Sequence, residues 1–314
     1  MEIDVRALRE PDLEQADQIF RLAFGTFIGL ADPRTFGGDS EYVRGRWRAT
    51  PEGAFAAIGG KALVGSNFAT RWGTFGFFGP LTVRPDLWDR GIARRLLEPT
   101  MAVFDRWGTT HRGLFTFSQS AKHHALYQKF GFHPRFLTYV AAKAVEPADR
   151  TATRVSTMFS LEDASRERLL GECRDVADSL HPGLDLSDEI RATTTNRLGD
   201  TILLDDGDRL DGFAVCHLGK GTEAGSGNCY VKFGAVRRGV GAARAFERLL
   251  DACEAFAAEY GAARIVAGVN LAREGAYRAL LARGFRAIIV GVAMQSGNAA
   301  AFNVPDVWAL DDWR

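Results

Sequence analysis

The hydrophobic residues alternate or recur every three to four positions in two successive stretches, and both stretches predict the same order of elements. The first stretch opens with a strand and an amphipathic helix, whose apolar face includes Leu13, Ile19 and Phe20. A meander of strands and a strand–turn–helix–strand–helix series follow. The predicted elements of this stretch are strands at 3–7, 55–58, 62–69, 75–83 and 113–118, and helices at 11–24, from a turn at 88–93 to about 107, and at 121–130.

The second stretch repeats this order, and aromatic–glycine pairs mark equivalent points in the two halves. Trp107-Gly108 corresponds to Tyr260-Gly261, and Gly131-Phe132 corresponds to Gly284-Phe285. The predicted elements here are strands at 154–159, 201–205, 212–218, 229–236, 264–269, 288–294 and 307–310, and helices at 162–180, from a turn at 238–243 to about 260, and at 273–282. A repeat of roughly 150 residues is too long for a solenoid and indicates duplication of a whole domain.

The order of elements predicts an α/β (α+β) fold in which each half is a mixed, mostly antiparallel sheet flanked by helices. The chain has 314 residues, more than one hydrophobic core usually supports. A short polar stretch with one proline, 141–154, is predicted to be the linker. We therefore predict two domains, at residues 1–143 and 155–314.

The composition gives no indication of nucleic-acid binding, membrane association or a metal site. Lys plus Arg and Asp plus Glu both number 39, so no basic excess points to nucleic acid. The sequence shows no secretory signal pattern and no apolar run long enough to span a membrane, which favours a cytoplasmic location without membrane association. Free cysteines and no metal site are expected, because no cysteine spacing matches a zinc or redox pattern; the cysteines are Cys173, Cys216, Cys229 and Cys253.

Two glycine turns, at 88–93 and 238–243, each leave a predicted strand and open a predicted helix. Free N–H groups at a helix N-terminus attract anions, and small residues let a phosphate approach the backbone. Neither turn has the spacing of a P-loop or of a dinucleotide-binding fingerprint. The alternative for either turn alone is a helix start in which glycine serves packing only.

These turns resemble the signature Arg/Gln-x-x-Gly-x-Gly/Ala of the GNAT superfamily of acyl-CoA N-acyltransferases, and the resemblance covers nearly the whole chain twice. The second turn matches fully, from Arg238 to Ala243, whereas Trp88 replaces the leading Arg/Gln in the first. In the family, backbone amides of this turn hold the CoA pyrophosphate. With Ser120, discussed below, the resemblance implies these acetyl-CoA-binding residues: Leu81, Thr82, Val83, Asp89, Arg90, Gly91, Ile92, Ala93, Arg94, Ser120, Ala235, Val236, Arg238, Gly239, Val240, Gly241 and Ala243.

A second family signature, Asn-x-x-Ala-x-x-x-Tyr-x-x-x-Gly-Phe, resembles the end of the first half. Tyr127 and Gly131-Phe132 match it, and Ser120 stands at the Asn position. The second half has Leu280 in place of the tyrosine, with Tyr277 one turn earlier. The resemblance implies that Tyr127 is the catalytic proton donor, against the alternative of a packing tyrosine.

The implied reaction is direct attack of a primary amine on the thioester of acetyl-CoA, without a metal. Tyr127 would protonate the departing thiolate, and a backbone N–H near Leu81 to Val83 would meet the carbonyl oxygen. The general base stays open. His123 is expected to be a packing or surface histidine, and Glu223 a solvated residue of a glycine-rich loop.

Other functions stay open at this point. One or both halves could be a CoA-binding or structural pseudo-enzyme, and a division of labour between the halves is the simplest arrangement. Aminoacyl transfer from tRNA also uses paired domains of this fold, but the balanced charge speaks against it. The sequence leaves open whether the acceptor is a small-molecule amine or a peptide amine, and it leaves the oligomeric state open.

Overall fold

The computed structural model describes residues 2–146, 155–205 and 209–314. Eight α-helices lie within these residues: α1 Leu13–Phe27, α2 Val43–Ala49, α3 Ile92–Arg106, α4 Ala121–Gln128, α5 Asp163–Leu180, α6 Ser187–Thr195, α7 Ala242–Glu259 and α8 Glu274–Ala282. The strands are β1 Ile3–Ala7, β2 Ala54–Gly59, β3 Ala62–Trp72, β4 Phe75–Phe78, β5 Thr82–Val83, β6 His111–Phe117, β7 Phe132–Ala144, β8 Gly199–Asp205, β9 Leu210–Gly219, β10 Gly225–Val236, β11 Arg264–Asn270, β12 Arg286–Ser296 and β13 Ala309–Leu310.

The described strands form one continuous sheet in the order β1-β2-β3-β4-β6-β12-β7-β11-β10-β9-β8, with β5 beside β3 and β13 beside β10. The two halves exchange their last long strands. β12 of the second half pairs with β6 of the first, and β7 of the first half pairs with β11 of the second. β7 and β12 also pair with each other. The mixed, mostly antiparallel sheet flanked by helices confirms the predicted fold class, and the exchange joins the two predicted sheets into one.

The helices of the first half cover opposite faces of this sheet. Alternate residues of a strand point to opposite faces, so the contacts of two neighbouring residues of β2 show which helices lie on which face. Ala57 of β2 packs in one cluster with Leu97 of α3 and with Tyr127 of α4. Ala56 packs in another cluster with Phe20 of α1. Thus α1 lies on one face, and α3 and α4 lie on the other.

The structure corrects the predictions in the middle of the chain. Residues 141–144, predicted to begin the linker, are the end of β7, and 147–154 lie outside the described residues. The strand predicted at 154–159 is reduced to a single bridge between Thr157 and Ile202, and residue 154 is not described. The sequence pattern also missed helices α2 and α6 and strand β7. The predicted domain boundaries stay a prediction.

Glu223, expected to be a solvated loop residue, is buried where the two halves meet. Its carboxylate oxygen Oε1 lies 2.9 Å from Nε of Arg46 in α2 and 2.8 Å from Nζ of Lys232 in β10. These two cations hold the pKa of Glu223 below its ordinary value although burial alone would raise it. The loop is therefore a contact between halves, because it folds back onto α2 instead of extending into water.

Candidate active site

The first half contains a cavity of about 700 Å³ where two neighbouring strands separate. β4 and β6 run parallel from Phe75 with His111 to Phe78 with Leu114. Beyond this point the chain turns through Gly79-Pro80 to β5. Strand β5 pairs with β3, as β4 does, but not with β6. The lining residues come from α1, the chain after β4, the first glycine turn, β6 and α4.

The edge of β5 that faces this cavity is not paired with any other described strand. The N–H of Arg84 donates to the carbonyl of Val64 in β3. In an antiparallel pair the backbone groups of every second residue point to the partner strand, so the backbone groups of Thr82 also point to β3. Leu81 and Val83 consequently present their backbone groups to the opposite edge, where the Val83 carbonyl accepts a hydrogen bond of 2.8 Å from the Trp88 indole. The N–H of Leu81 is thus placed to donate to a bound carbonyl oxygen.

The first glycine turn opens α3 beside this edge. Gly91 is the N-cap residue, has φ of 75° and supplies no side-chain cap, so the first amides of α3 stay free for an anion. A Cβ added at Gly91 would meet no atom within 4 Å, so the space in front of the turn is open. The carboxylate of Asp89 is paired with Lys122 of α4 at 2.6 Å, which reduces its repulsion of a phosphate.

Tyr127 lies on the second turn of α4 with its ring against the edge of the Phe78 ring, at a centroid distance of 5.6 Å. The side chain is almost fully buried and lines the cavity. Burial raises the pKa of the Tyr127 phenol above its ordinary value. The hydroxyl therefore stays protonated across the physiological pH range and can donate a hydrogen bond to an anion in the cavity.

His123, expected to be a packing or surface residue, also lines this cavity. It is half-buried one turn before Tyr127, and its Nδ1 lies 3.4 Å from Oγ1 of Thr116 in β6. Burial lowers the pKa of His123, and the positive charge of Lys122 lowers it further. The imidazole is therefore neutral near pH 7 and can accept a proton.

The corresponding edge of the second half is closed by the chain itself. β10 and β11 run parallel over Asn228–Val231 and Arg264–Ala267, as β4 and β6 do. β13 then pairs with β10, with Ala309 opposite Ala235 and Leu310 opposite Gly234. The Val236 N–H donates to the Trp308 carbonyl. The segment 308–312 thus occupies the edge that is open beside Leu81 and Val83 in the first half.

Buried contacts hold this segment in place. The Asp311 N–H donates to the carbonyl of Gly268 in β11 at 3.0 Å. Nη1 of Arg273 lies 2.7 Å from Oδ2 of Asp311, and both side chains are buried. At the second glycine turn, Arg238 is paired with Asp306 at 2.7 Å, so the basic residue of the better-matching turn is engaged by the chain just before this segment.

We expect Arg273→Ala to lower the free energy of unfolding by about 3–5 kcal/mol, because it leaves the Asp311 carboxylate buried without its partner. Urea unfolding followed by circular dichroism measures this. Arg278→Ala, which removes an exposed partner of Glu274 on the same helix, is the matched control and should change stability very little. Equal, small effects of both substitutions would show that the segment is not packed as described.

The structure divides the predicted cofactor-binding residues into two groups. The residues that line the cavity are Leu81, Thr82, Val83, Asp89, Gly91, Ile92, Ala93, Arg94 and Ser120, together with the predicted catalytic Tyr127. Arg90 is exposed and lies outside it. The predicted residues of the second half lie outside it as well. Ala235 and Val236 lie on β10 beside β13, and the residues at the second turn are Arg238, Gly239, Val240, Gly241 and Ala243.

Two aromatic lining residues, Phe24 and Phe27 of α1, were not predicted from the sequence. They form one wall of the cavity together with Phe117 of β6, one of the first-half aromatic residues that the sequence suggested for a hydrophobic acceptor or pantetheine groove. The apolar face of α1 was visible in the sequence, but its spacing does not distinguish core contacts from a cavity wall.

The described residues contain no group of three or more His, Cys, Asp or Glu side chains arranged to hold a metal ion. Over the same residues, no helix is long and apolar enough to cross a membrane.

Comparison with known proteins gives a family match and several similar folds. Residues 16–132 match the model of the acetyltransferase (GNAT) family. A candidate acetyltransferase from Pyrococcus horikoshii is similar over 99% of this chain and 95% of its own, at 16% identity and a TM-score of 0.69. A GCN5-related N-acetyltransferase from Sphaerobacter thermophilus is similar over 94% of this chain and 95% of its own, at 15% identity and a TM-score of 0.61. No curated protein matches the chain. At these identities, the structural likeness shows the fold of the whole chain.

Proposed function

We propose that the protein is an N-acetyltransferase with its active site in the first half, because residues 16–132 match the model of the acetyltransferase (GNAT) family. The protein would transfer the acetyl group of acetyl-CoA to a primary amine, on a small molecule or a peptide, by direct attack. We further propose that this takes place in the cytoplasm.

One observation carries this proposal: the unpaired strand edge at Leu81 and Val83, the open turn at Gly91 and the Tyr127 side chain all border one cavity. The turn can receive a pyrophosphate on the amides of α3, and Arg94 adds a positive charge at the same place. The edge of β5 can receive the amides of the pantetheine arm as a further strand would. A cavity of about 700 Å³ has the size usual for small-molecule sites.

The chemistry follows from these positions. The neutral amine attacks the thioester carbonyl carbon, and the N–H of Leu81 stabilises the charge that develops on the carbonyl oxygen. The C–S bond breaks with its electron pair on sulfur. The attacking nitrogen releases one proton to solvent, Tyr127 donates its proton to the thiolate, and the phenolate recovers a proton from solvent.

We propose that the second half has a structural role and binds no acyl-CoA. β13 fills the edge of β10 that a pantetheine arm would need, and Leu280 stands where the first half has its tyrosine. Strand β12 of the second half pairs with β6 of the first half, so the sheet of the first half is complete only when the second half is present. This is the pseudo-enzyme alternative, restricted to one half.

The proposal is tested by mixing the full chain with acetyl-CoA and a panel of primary amines, which includes diamines, aromatic amines and peptides with free N-termini. Free thiol is followed with a thiol-reactive dye, and the acetylated amine is identified by mass spectrometry. We expect thiol release to depend on the amine and to equal the acetylated product. Acetyl-CoA binding without turnover for the whole panel would favour a pseudo-enzyme throughout.

A further inference from the structure

The cavity of the first half is lined from both faces of the sheet, and the two sets of lining residues differ in chemistry. The glycine turn and α4 lie on the face of α3, with Gly91, Arg94 and Lys122 among the lining residues. On the opposite face, α1 contributes Ala23, Phe24 and Phe27. Since the residues on the α3 face suit the phosphates and the pantetheine arm, the part of the cavity lined by α1, the α1 end, is left for the second substrate.

The α1 end has aromatic walls. The rings of Phe27 and Phe117 lie 5.0 Å apart, and the Phe24 ring lies 6.1 Å from Phe117. The His123 ring of α4 stacks on the Phe27 ring of α1, with centroids 5.0 Å apart and an angle of 28° between the planes. Such walls favour a flat apolar group, which gains from ring contacts as well as from leaving water.

The same end has no anion for an ammonium group. Among the described residues that line the cavity, Asp89 is the only acidic one, and it lies at the glycine turn, paired with Lys122. A polyamine would therefore bring at least one further ammonium group into the site without a counter-charge, whereas a monoamine needs only to lose the proton of its reacting nitrogen. The polar group at this end is His123. A neutral imidazole can accept a proton from the amine, but it has no negative charge with which to bind an ammonium group.

We propose that Phe24, Phe27, Phe117 and His123 form the acceptor subsite, and that its substrate is a primary amine carried on an aromatic body. This inference rests on the proposed acetyl transfer in the same cavity. The nitrogen attacks the thioester carbon, its proton passes to Nε2 of His123, and the thiolate takes the proton of Tyr127. His123 then releases its proton to solvent, which balances the phenolate of Tyr127.

The charged and titratable groups around His123 come from α4 itself: Lys122, His124 and Tyr127. The neighbours from α1 and β6 are the uncharged Phe27 and Thr116. A base in these surroundings loses its function as the pH falls through its lowered pKa. The proposal thus predicts an acidic limb in the pH profile of kcat/KM that depends on His123.

The experiment compares benzylamine with 1,4-diaminobutane as acceptors, with acetyl-CoA saturating and the full chain as enzyme. We expect kcat/KM to be at least about tenfold higher for benzylamine. Phe27→Ala should remove this preference by raising KM for benzylamine, with acetyl-CoA affinity unchanged, and Phe27→Leu should restore part of it. Phe136→Ala replaces an exposed phenylalanine outside the cavity and is the matched control.

Three results would overturn the inference: equal or better use of the diamine, loss of both activities alike in Phe27→Ala, or a change in that variant from acetyl-CoA to longer acyl-CoA. The last would make the aromatic wall an acyl subsite. His123→Gln should remove the acidic limb, whereas a uniform loss at all pH values would assign His123 a structural role. If the wild type bound no acetyl-CoA, the proposed function itself would fail, and calorimetry separates that case.

Discussion

Replacing Tyr127 by phenylalanine is expected to lower kcat for acetyl transfer by about 10²–10⁴-fold, the range typical for loss of a general acid. The substitution removes only the hydroxyl, and the ring can keep its contact with Phe78. Because the hydroxyl acts on the thiolate that forms during the reaction, the affinity for acetyl-CoA should change little. Steady-state kinetics with calorimetric Kd values for acetyl-CoA measure both quantities.

Tyr277→Phe is the matched control for this substitution. Tyr277 lies on α8, the equivalent helix of the second half, with its ring edge-on to Tyr139 at 5.5 Å. It should retain wild-type kinetics. A Tyr127→Phe enzyme with wild-type kcat, or a Tyr277→Phe enzyme that loses activity, would remove Tyr127 from the proposed mechanism.

Gly91→Glu is expected to weaken acetyl-CoA binding by about 100-fold or more. The new side chain would enter the open space before the amides of α3 and place a negative charge where the pyrophosphate binds. The backbone at Gly91 has φ of 75°, so the variant also carries some strain. Calorimetric titration measures the affinity, and thermal unfolding measures the strain separately.

Gly241→Glu separates the charge effect from the strain. Gly241 is the N-cap of α7 with φ of 90°, and a Cβ there would also meet no atom within 4 Å. The two substitutions therefore impose similar strain and the same charge on equivalent turns. Only Gly91→Glu should weaken acetyl-CoA binding, because β13 closes the strand edge beside the second turn.

The sequence pattern predicted most elements but not their partners. Strand β12 is clear as a hydrophobic run, yet nothing in its alternation distinguishes pairing with β6 of the other half from pairing within its own. Strand β7 was not predicted at all, and its last residues, 141–144, were assigned to the linker. Helix α6 ends in three threonines, and α2 has seven residues with three arginines, so both lack the apolar stripe that marks a helix.

The candidate site shows the same limit. Motif spacing brought Gly91 and Tyr127 into one hypothesis, and the structure places both on one cavity. The second turn matches the family motif better, but the cleft beside it is closed by a strand from residues about 70 positions later, 309–310. A sequence motif indicates the local backbone conformation, whereas the space in front of that backbone depends on segments far away in the sequence. Phe27 and His123 entered the site for the same reason, through contacts between α1 and α4.

We expect the first half alone to bind acetyl-CoA, and calorimetric titration of acetyl-CoA into the wild-type chain counts the sites. One site per chain is expected, lost in Gly91→Glu and kept in Gly241→Glu. Two sites per chain, or a single site lost only in Gly241→Glu, would show that the second half binds acetyl-CoA.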